Sequence, residues 1–350
     1  MVTNQCNLRC LYCYESHKKD TMMSFELARQ AIIDHIHDER YDHISIEFMG
    51  GEPLLNFPLI RDIAEWIWES GIDAPYDLFA STNGTCLSDE MKEWFSQHSH
   101  QIELGLSFDG TPQVQDINRC TSAKNIDFEF FLRTWPSMSV KMTISTMSIS
   151  HLYDSIVYLE QKGVDHIKAD LAFMNGWDEK HLTVWSVELD RLINYYAHLQ
   201  KESRCSLLQV PVENIFAEQV SVKRCGCGED LVCIDCDGQQ YPCQMFAPLS
   251  MSKECYDTVR NLDFSDERHF FVEQCSNCIL KACCPSCYGC NLKYNGALNR
   301  INQFYCKAFI ILFMKNLEYR MAMAQLIENE KERLDTLKDL EQIAEAIQLS

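Results

Sequence analysis

The chain has 350 residues, a formal net charge of -20 and nineteen cysteines. That length accommodates one large domain and a smaller one. The negative charge disfavours nucleic acid, and no apolar run is long enough for a bilayer span, nor does a signal peptide open the chain. A large chain of this kind reads as cytoplasmic, where thiols stay reduced and serve metals rather than disulfides.

In chain order, residues 1–205 alternate strand-like and amphipathic runs, the pattern of successive βα units on a parallel sheet. Strands are predicted at Met1–Asn4, Ile44–Phe48, Asp77–Ala80, Gln101–Ser107, Val140–Ser145 and His166–Ala172. Helices are predicted at Ser24–Arg40, Pro58–Ser70, Ser88–Gln97, Asp127–Trp135, His151–Lys162 and Lys180–Lys201, with Ser24 and Ser88 as N-caps. Six repeats are too few for the eight-stranded barrel, so the expected fold is α/β, a partial (β/α)6 TIM-like barrel with its chemistry at the carboxyl ends of the strands. Five cysteines, at positions 6, 10, 13, 86 and 120, precede residue 200, and fourteen crowd into Cys205–Cys306. Residues 206–315 therefore read as a second, loop-rich domain held together by metal. Residues 316–350 read as a C-terminal helix, with Leu326, Leu334, Leu337, Leu340 and Ile343 at helical spacing, packed on the domain rather than on a partner.

Cys6-Asn7-Leu8-Arg9-Cys10-Leu11-Tyr12-Cys13 places three thiolates in eight residues on the loop after the first strand. Three thiolates hold three irons of a 4Fe-4S cluster and leave the fourth open to chemistry. A closed zinc site asks instead for four ligands in two separated pairs. With Tyr12 just before its third cysteine, the triplet resembles the radical S-adenosylmethionine (SAM) superfamily. Further segments carry the resemblance in order along successive strand ends: Gly50-Gly51-Glu52-Pro53, Ser81-Thr82-Asn83-Gly84, Ser107-Phe108-Asp109-Gly110 and Asp116-Ile117-Asn118-Arg119. Each alone is an ordinary turn sequence; the ordered set is not. The resemblance implies that Gly50, Gly51, Glu52 and Pro53 meet the SAM amino group, that Ser81, Asn83 and Ser107 help hold SAM and face the substrate, and that Arg119 reaches the SAM carboxylate. Asp109 is a candidate general base, or else fixes a turn or the SAM ribose. The implied chemistry is reductive cleavage of SAM to a 5'-deoxyadenosyl radical, which the cofactor supplies and the protein positions.

Cys225-Gly226-Cys227, the Gly238-x4-Cys243 segment, Cys275-x2-Cys278-x5-Cys284-x2-Cys287 and the late Cys306 resemble a SPASM domain, which carries auxiliary iron-sulfur clusters. Three 4Fe-4S clusters are then implied, one binding SAM and two auxiliary. By resemblance, Cys275, Cys278, Cys284 and Cys306 hold one auxiliary cluster. Cys225, Cys243 and Cys287 hold the other, with a fourth ligand from Cys227, Cys233 or Cys236. The commoner spacing puts a ligand at position 288, which here is Tyr288, so Cys287 or Cys290 substitutes, and Cys287 is favoured. Zinc ribbons are the competing reading of the paired cysteines. Cys86, Cys120, Cys205 and Cys255 read as small buried side chains. The resemblance implies a maturase of a ribosomally made precursor peptide that forms a thioether crosslink, supplied with electrons by a flavodoxin or ferredoxin. Formylglycine formation and a noncatalytic zinc-ribbon or electron-transfer protein are the alternatives. Because the cysteine triplet lies so near residue 1, a leader peptide is expected to meet another surface or a separate protein.

Overall fold

The computed structural model describes residues 1–217, 223 and 225–348. Its elements are, in chain order, α1 (Phe25–His35), β1 (Ile44–Phe48), α2 (Phe57–Glu69), β2 (Tyr76–Thr82), α3 (Asp89–Gln97), β3 (Glu103–Ser107), α4 (Pro112–Asn118), α5 (Phe128–Thr134), β4 (Ser139–Ile144), α6 (Leu152–Gln161), β5 (His166–Leu171) and α7 (Glu179–Leu199). Then follow the hairpin β6 (Cys233–Ile234) and β7 (Gln240–Tyr241), α8 (Lys253–Asp257), α9 (Tyr288–Asn295), α10 (Gln303–Ala324) and α11 (Glu330–Gln348). Among the described residues no helix is long and apolar enough to cross a membrane.

Strands β1 to β5 form a parallel sheet in sequence order, the open α/β architecture expected of six βα repeats. The strands are two-faced. Leu78, Ala80, Leu104, Leu106, Val140, Met142, Ile144, Ile167 and Ala169 are buried in one core with Ile60, Ile63, Phe95, Phe131, Leu152 and Trp185 of the helices. The alternate residues, among them Glu47, Ser81, Lys141, Lys168 and Asp170, are exposed on the helix-free face. A parallel strand covered on both faces would be apolar throughout, so this alternation marks an open hollow.

The predicted first strand is reduced to single bridges from Thr3, parallel to Gly50 and antiparallel to Met22, because the chain leaves the sheet at once for the cysteine loop. At the other edge Cys205 bridges Ile167, so the chain around residue 205 extends the sheet by one bridge, and Leu207 and Leu208 join its core. Helix α1 stops at His35 rather than Arg40, since Asp38 draws the Arg40 backbone N–H and guanidinium into a local turn. An additional helix, α4, starts at the Thr111-Pro112 step: Thr111 caps Val114 N and Pro112 occupies the first turn.

Helix α10 runs unbroken across the position 315/316 where a domain boundary was expected. No glycine or proline interrupts it, and it clamps the barrel. Trp185 Nε1 donates to Ala308 O at 3.1 Å, and Asn316 Nδ2 donates to Leu207 O at 2.7 Å. Helix α11 then folds back, burying Leu340 and Ile343 against Phe313 and Leu317, each such side chain contributing about 2 kcal/mol. Leu334 stays exposed and Leu326 lies in the preceding turn.

Candidate active site at the strand carboxyl ends

The cysteine loop is laced to the end of β1 by backbone. Gly51 N donates to Thr3 O at 3.1 Å and Glu52 N to Gln5 O at 2.8 Å. The glycines are obligatory for this approach. A Cβ on Gly50 would lie 2.1 Å from Thr3 O, and one on Gly51 would lie 2.2 Å from Gln5 O and 2.9 Å from Cys6 Cβ. Gly51→Ala is therefore expected to push Cys6 out of place, costing about 1–3 kcal/mol by overpacking and lowering iron incorporation, measured by urea unfolding and iron assay.

A turn holds the loop tight, Cys13 N donating to Cys10 O at 3.2 Å. Cys6, Cys10 and Cys13 act on one another electrostatically, and burial pushes all three thiols up, Cys10 to about 12. Lys18 opposes this at Cys6, and its Nζ donates to Leu8 O at 2.6 Å. A bound metal supplies the positive charge that such thiols need to ionise. Among the described residues no three His, Cys, Asp or Glu side chains close around a single ion. A four-iron cube takes one thiolate per iron and asks for a wider set.

Glu52 is 1% exposed. It accepts from Thr82 Oγ1 at 2.6 Å, Asn83 N at 2.8 Å and Leu54 N at 3.2 Å, which ties β1 to the end of β2. Burial pushes its pKa up against the pull of these donors. Asn83 Nδ2 continues the chain of contacts to Asn7 Oδ1 at 3.0 Å, inside the cysteine loop. Pro53 opens the short turn behind Glu52. Ser81 faces the hollow and donates to Glu47 Oε1 at 3.0 Å, and Ser107 lies half-buried on the same face.

Asp109 is fully buried at the end of β3 and its two oxygens take five donors. Arg119 Nε and Nη2 form a fork at 3.0 Å each, Asn118 Nδ2 lies at 3.1 Å, Thr143 N at 2.9 Å and Tyr12 Oη at 2.5 Å. A carboxylate so engaged positions its neighbours; no lone pair is turned to the hollow. Burial works against the Arg119 charge, but Asp109 and Tyr12 beside it hold the guanidinium more firmly protonated. The guanidinium carbon sits 5.4 Å from the Tyr12 ring centroid and within electrostatic reach of Cys10. Leu11 N also donates to Asn118 O at 2.8 Å, so the end of α4 grips the cysteine loop.

Most of the later cysteines fall into two groups. Cys225, Cys227, Cys243, Cys287 and Cys290 share one apolar cluster with Tyr14 and Phe173. The Cys227 thiol donates to Cys225, lowering its pKa to about 6, and the Cys290 thiol donates to Cys287, whose pKa is also lowered. Cys236 instead donates to Met1 O at 3.4 Å, and Cys233 packs with Met1, Ala247 and Leu249. Cys278 and Cys284 pack on a separate cluster below α10, with Cys278 in electrostatic reach of Cys306, and Cys275 begins the turn that ends at Cys278. Cys205 is fully buried, Cys86 and Cys255 half-buried. Cys120, expected to be buried, is exposed at a positive φ of 56°, where the chain turns out of α4 and its thiol donates to Arg9 O.

Lys18, Glu47, Lys141 and Lys293 were not singled out from the sequence, and Tyr12 was read only as part of the cysteine motif. The polar alternation in β1, β4 and β5 marks Glu47, Lys141 and Asp170. Lys293 joins the two halves of the molecule, its Nζ donating to Tyr14 O and Ser250 O, each at 2.6 Å.

Comparison with known proteins agrees with this arrangement. The radical SAM superfamily profile matches residues 1–135. An uncharacterized protein of Methanocaldococcus jannaschii, MJ0907, is 28% identical over 219 residues, 58% of this chain and 74% of that protein. Among solved structures, anSMEcpe with bound AdoMet aligns with a TM-score of 0.71 at 17% identity, covering 93% of this chain and 98% of the other. Streptococcus suis SuiB bound to its precursor peptide SuiA aligns with a TM-score of 0.58 at 14% identity, covering 87% and 74%. The residues that match the radical SAM superfamily, 1–135, contain the cysteine triplet, the Gly50-Gly51-Glu52 turn and the Asp109–Arg119 pair.

Proposed function

We propose that this radical SAM enzyme is a peptide maturase that abstracts hydrogen from a ribosomally made peptide and forms a cysteine-derived thioether. The observation that carries the proposal is the packing of Tyr14, one residue past Cys13, into the same apolar cluster as Cys225, Cys243, Cys287 and Cys290. The two cysteine sets are thereby linked through one apolar cluster, one set for radical generation and the other for a substrate thiolate or the electron released as product forms. The precursor peptide SuiA bound in the SuiB structure and the Kp18Cys peptide bound in an anSMEcpe structure support a peptide substrate.

The donor sets suit the groups assigned to them. Cys6, Cys10 and Cys13 would hold three irons of the SAM-binding cluster, with SAM on the fourth. Bound there, cluster and SAM supply a 5'-deoxyadenosyl radical when an electron arrives from a flavodoxin or ferredoxin. Glu52 fixes the Gly50-Gly51 turn that meets the SAM amino end. Asp109 and Tyr12 hold Arg119 in place for the SAM carboxylate. Ser81 and Ser107 line the hollow where the peptide lies. For the first auxiliary cluster, Cys225, Cys243 and Cys287 are joined by Cys227 or Cys290, the thiols that already lie against them; Cys275, Cys278, Cys284 and Cys306 take the second.

A second reading, oxidation of a cysteine or serine to formylglycine, is favoured by the fuller alignment with anSMEcpe, a sulfatase maturase. Protein reconstituted anaerobically is expected to carry about twelve irons and to release 5'-deoxyadenosine from SAM with dithionite. Zinc in place of iron, or no 5'-deoxyadenosine, would end the radical reading. Mass spectrometry of a cysteine-bearing peptide then separates a loss of two hydrogens from formylglycine.

A further inference from the structure

Glu15 closes the cysteine loop. It is 7% exposed, and its Oε1 has no hydrogen-bond partner. A buried carboxylate oxygen left unpaired is costly, so its persistence points to a group that is supplied from outside the chain. The ammoniums within reach do not provide it: Lys18 Nζ is on Leu8 O, and Lys293 Nζ is on Tyr14 O and Ser250 O. Glu47, within electrostatic reach of Glu15, lies on the exposed face of β1 with Ser81 Oγ on its Oε1. Glu47 is open to the hollow, yet the walls around it desolvate its carboxyl and push its pKa up. The two acids act on each other, and Tyr14 lies in the field of both. Tyr14 and Phe173 provide apolar wall beside them.

Two acidic groups within electrostatic reach of each other, one exposed and one with a buried unpartnered oxygen, are complementary to a cation on a flexible apolar stem. We propose that Glu15 and Glu47 form a recognition subsite for a lysine or arginine side chain of the peptide substrate. The proposal rests on the peptide reading above, and the chain's charge of -20 favours such a partner. The ammonium of SAM itself is the other source of the same chemistry, and the experiment separates the two.

Full-length protein, reconstituted anaerobically, is titrated by calorimetry with acetyl-Gly-Lys-Gly-amide, acetyl-Gly-norleucine-Gly-amide, n-butylammonium and SAM. The lysine peptide is expected to bind at least tenfold more tightly than its norleucine counterpart. Glu47→Gln and Glu15→Gln should each erase that preference and leave SAM affinity within twofold. Absence of a lysine preference in the unsubstituted protein overturns the proposal. So does a tenfold loss of SAM affinity with the preference intact, which would assign the acids to SAM. Should butylammonium bind through Glu47 while neither peptide binds, the subsite stands and the peptide reading falls. Iron content checks the loop in each variant, and if Glu15→Gln loses iron, Glu47→Gln alone decides.

Discussion

Replacing Cys6, Cys10 and Cys13 together by alanine is expected to abolish 5'-deoxyadenosine formation, a loss of at least about a thousandfold, while iron falls only from about twelve to about eight per chain. The partition follows from packing. The triplet lies on a loop clamped to the barrel through Gly51, Glu52 and Asn118. Cys225, Cys243 and Cys287 sit in another apolar cluster, around Phe246, Phe264 and Phe270, and Cys278 and Cys284 in a third, beneath Phe309 and Phe313. Alanine at the triplet removes no side chain from either of those clusters. The iron assay and chromatography of SAM cleavage products read the two effects separately. Loss of all iron would show instead that both domains fold as one metal-dependent unit, with Tyr14 and the Lys293 contacts transmitting the damage.

Much of the barrel was legible because its strands are short runs with every second residue apolar and its helices carry visible caps, Ser24 on Leu27 N and Ser88 on Met91 N. Helix α4 was equally signalled by Thr111-Pro112, but those residues lie inside a segment read for its motif rather than its periodicity. The run of α10 through residue 315 was obscured because Phe309–Phe313 is apolar all round, which gives no face to follow. The polar face of the sheet was written in the sequence as alternation, Ile-Ser-Ile-Glu-Phe in β1 and Val-Lys-Met-Thr-Ile in β4, and it is what places Glu47 and Lys141 in the hollow. Long-range pairing was not legible at all. Tyr12 meets Asp109 across 97 residues, and Lys293 meets Tyr14 across 279. No local pattern encodes which strand end folds over which loop, and the choice of Cys287 with Cys290 or Cys227 depends on that folding.

Asp109→Asn is expected to lower stability by about 3–5 kcal/mol, because it keeps the shape of the side chain and leaves the Arg119 guanidinium buried without a counter-charge. Arg119 is 7% exposed, and both nitrogens of its fork rest on Asp109. The amide can still accept from Thr143 N and one Arg119 nitrogen, but its NH2 now confronts the donors of Arg119, Asn118 or Tyr12, so at least one further hydrogen bond is lost, worth about 1 kcal/mol. Arg119→Met alone should destabilise less, since Asp109 retains Tyr12, Asn118 and Thr143 as donors. The double variant should be more stable than the sum of the single changes, by about 0.5–3 kcal/mol, the coupling expected of residues in contact. Urea unfolding of the reconstituted protein measures all three. A positioning role adds a second signature: Arg119→Met should weaken SAM binding severalfold and alter the paramagnetic resonance spectrum of the reduced cluster with SAM, and Tyr12→Phe, which removes a single donor from Asp109, should produce a smaller shift of the same kind. If Asp109→Asn unfolds within about 1 kcal/mol of the unsubstituted protein, the buried pair does not hold this end of the barrel, and the precision of the SAM site must come from the Glu52 bridge between β1 and β2 instead.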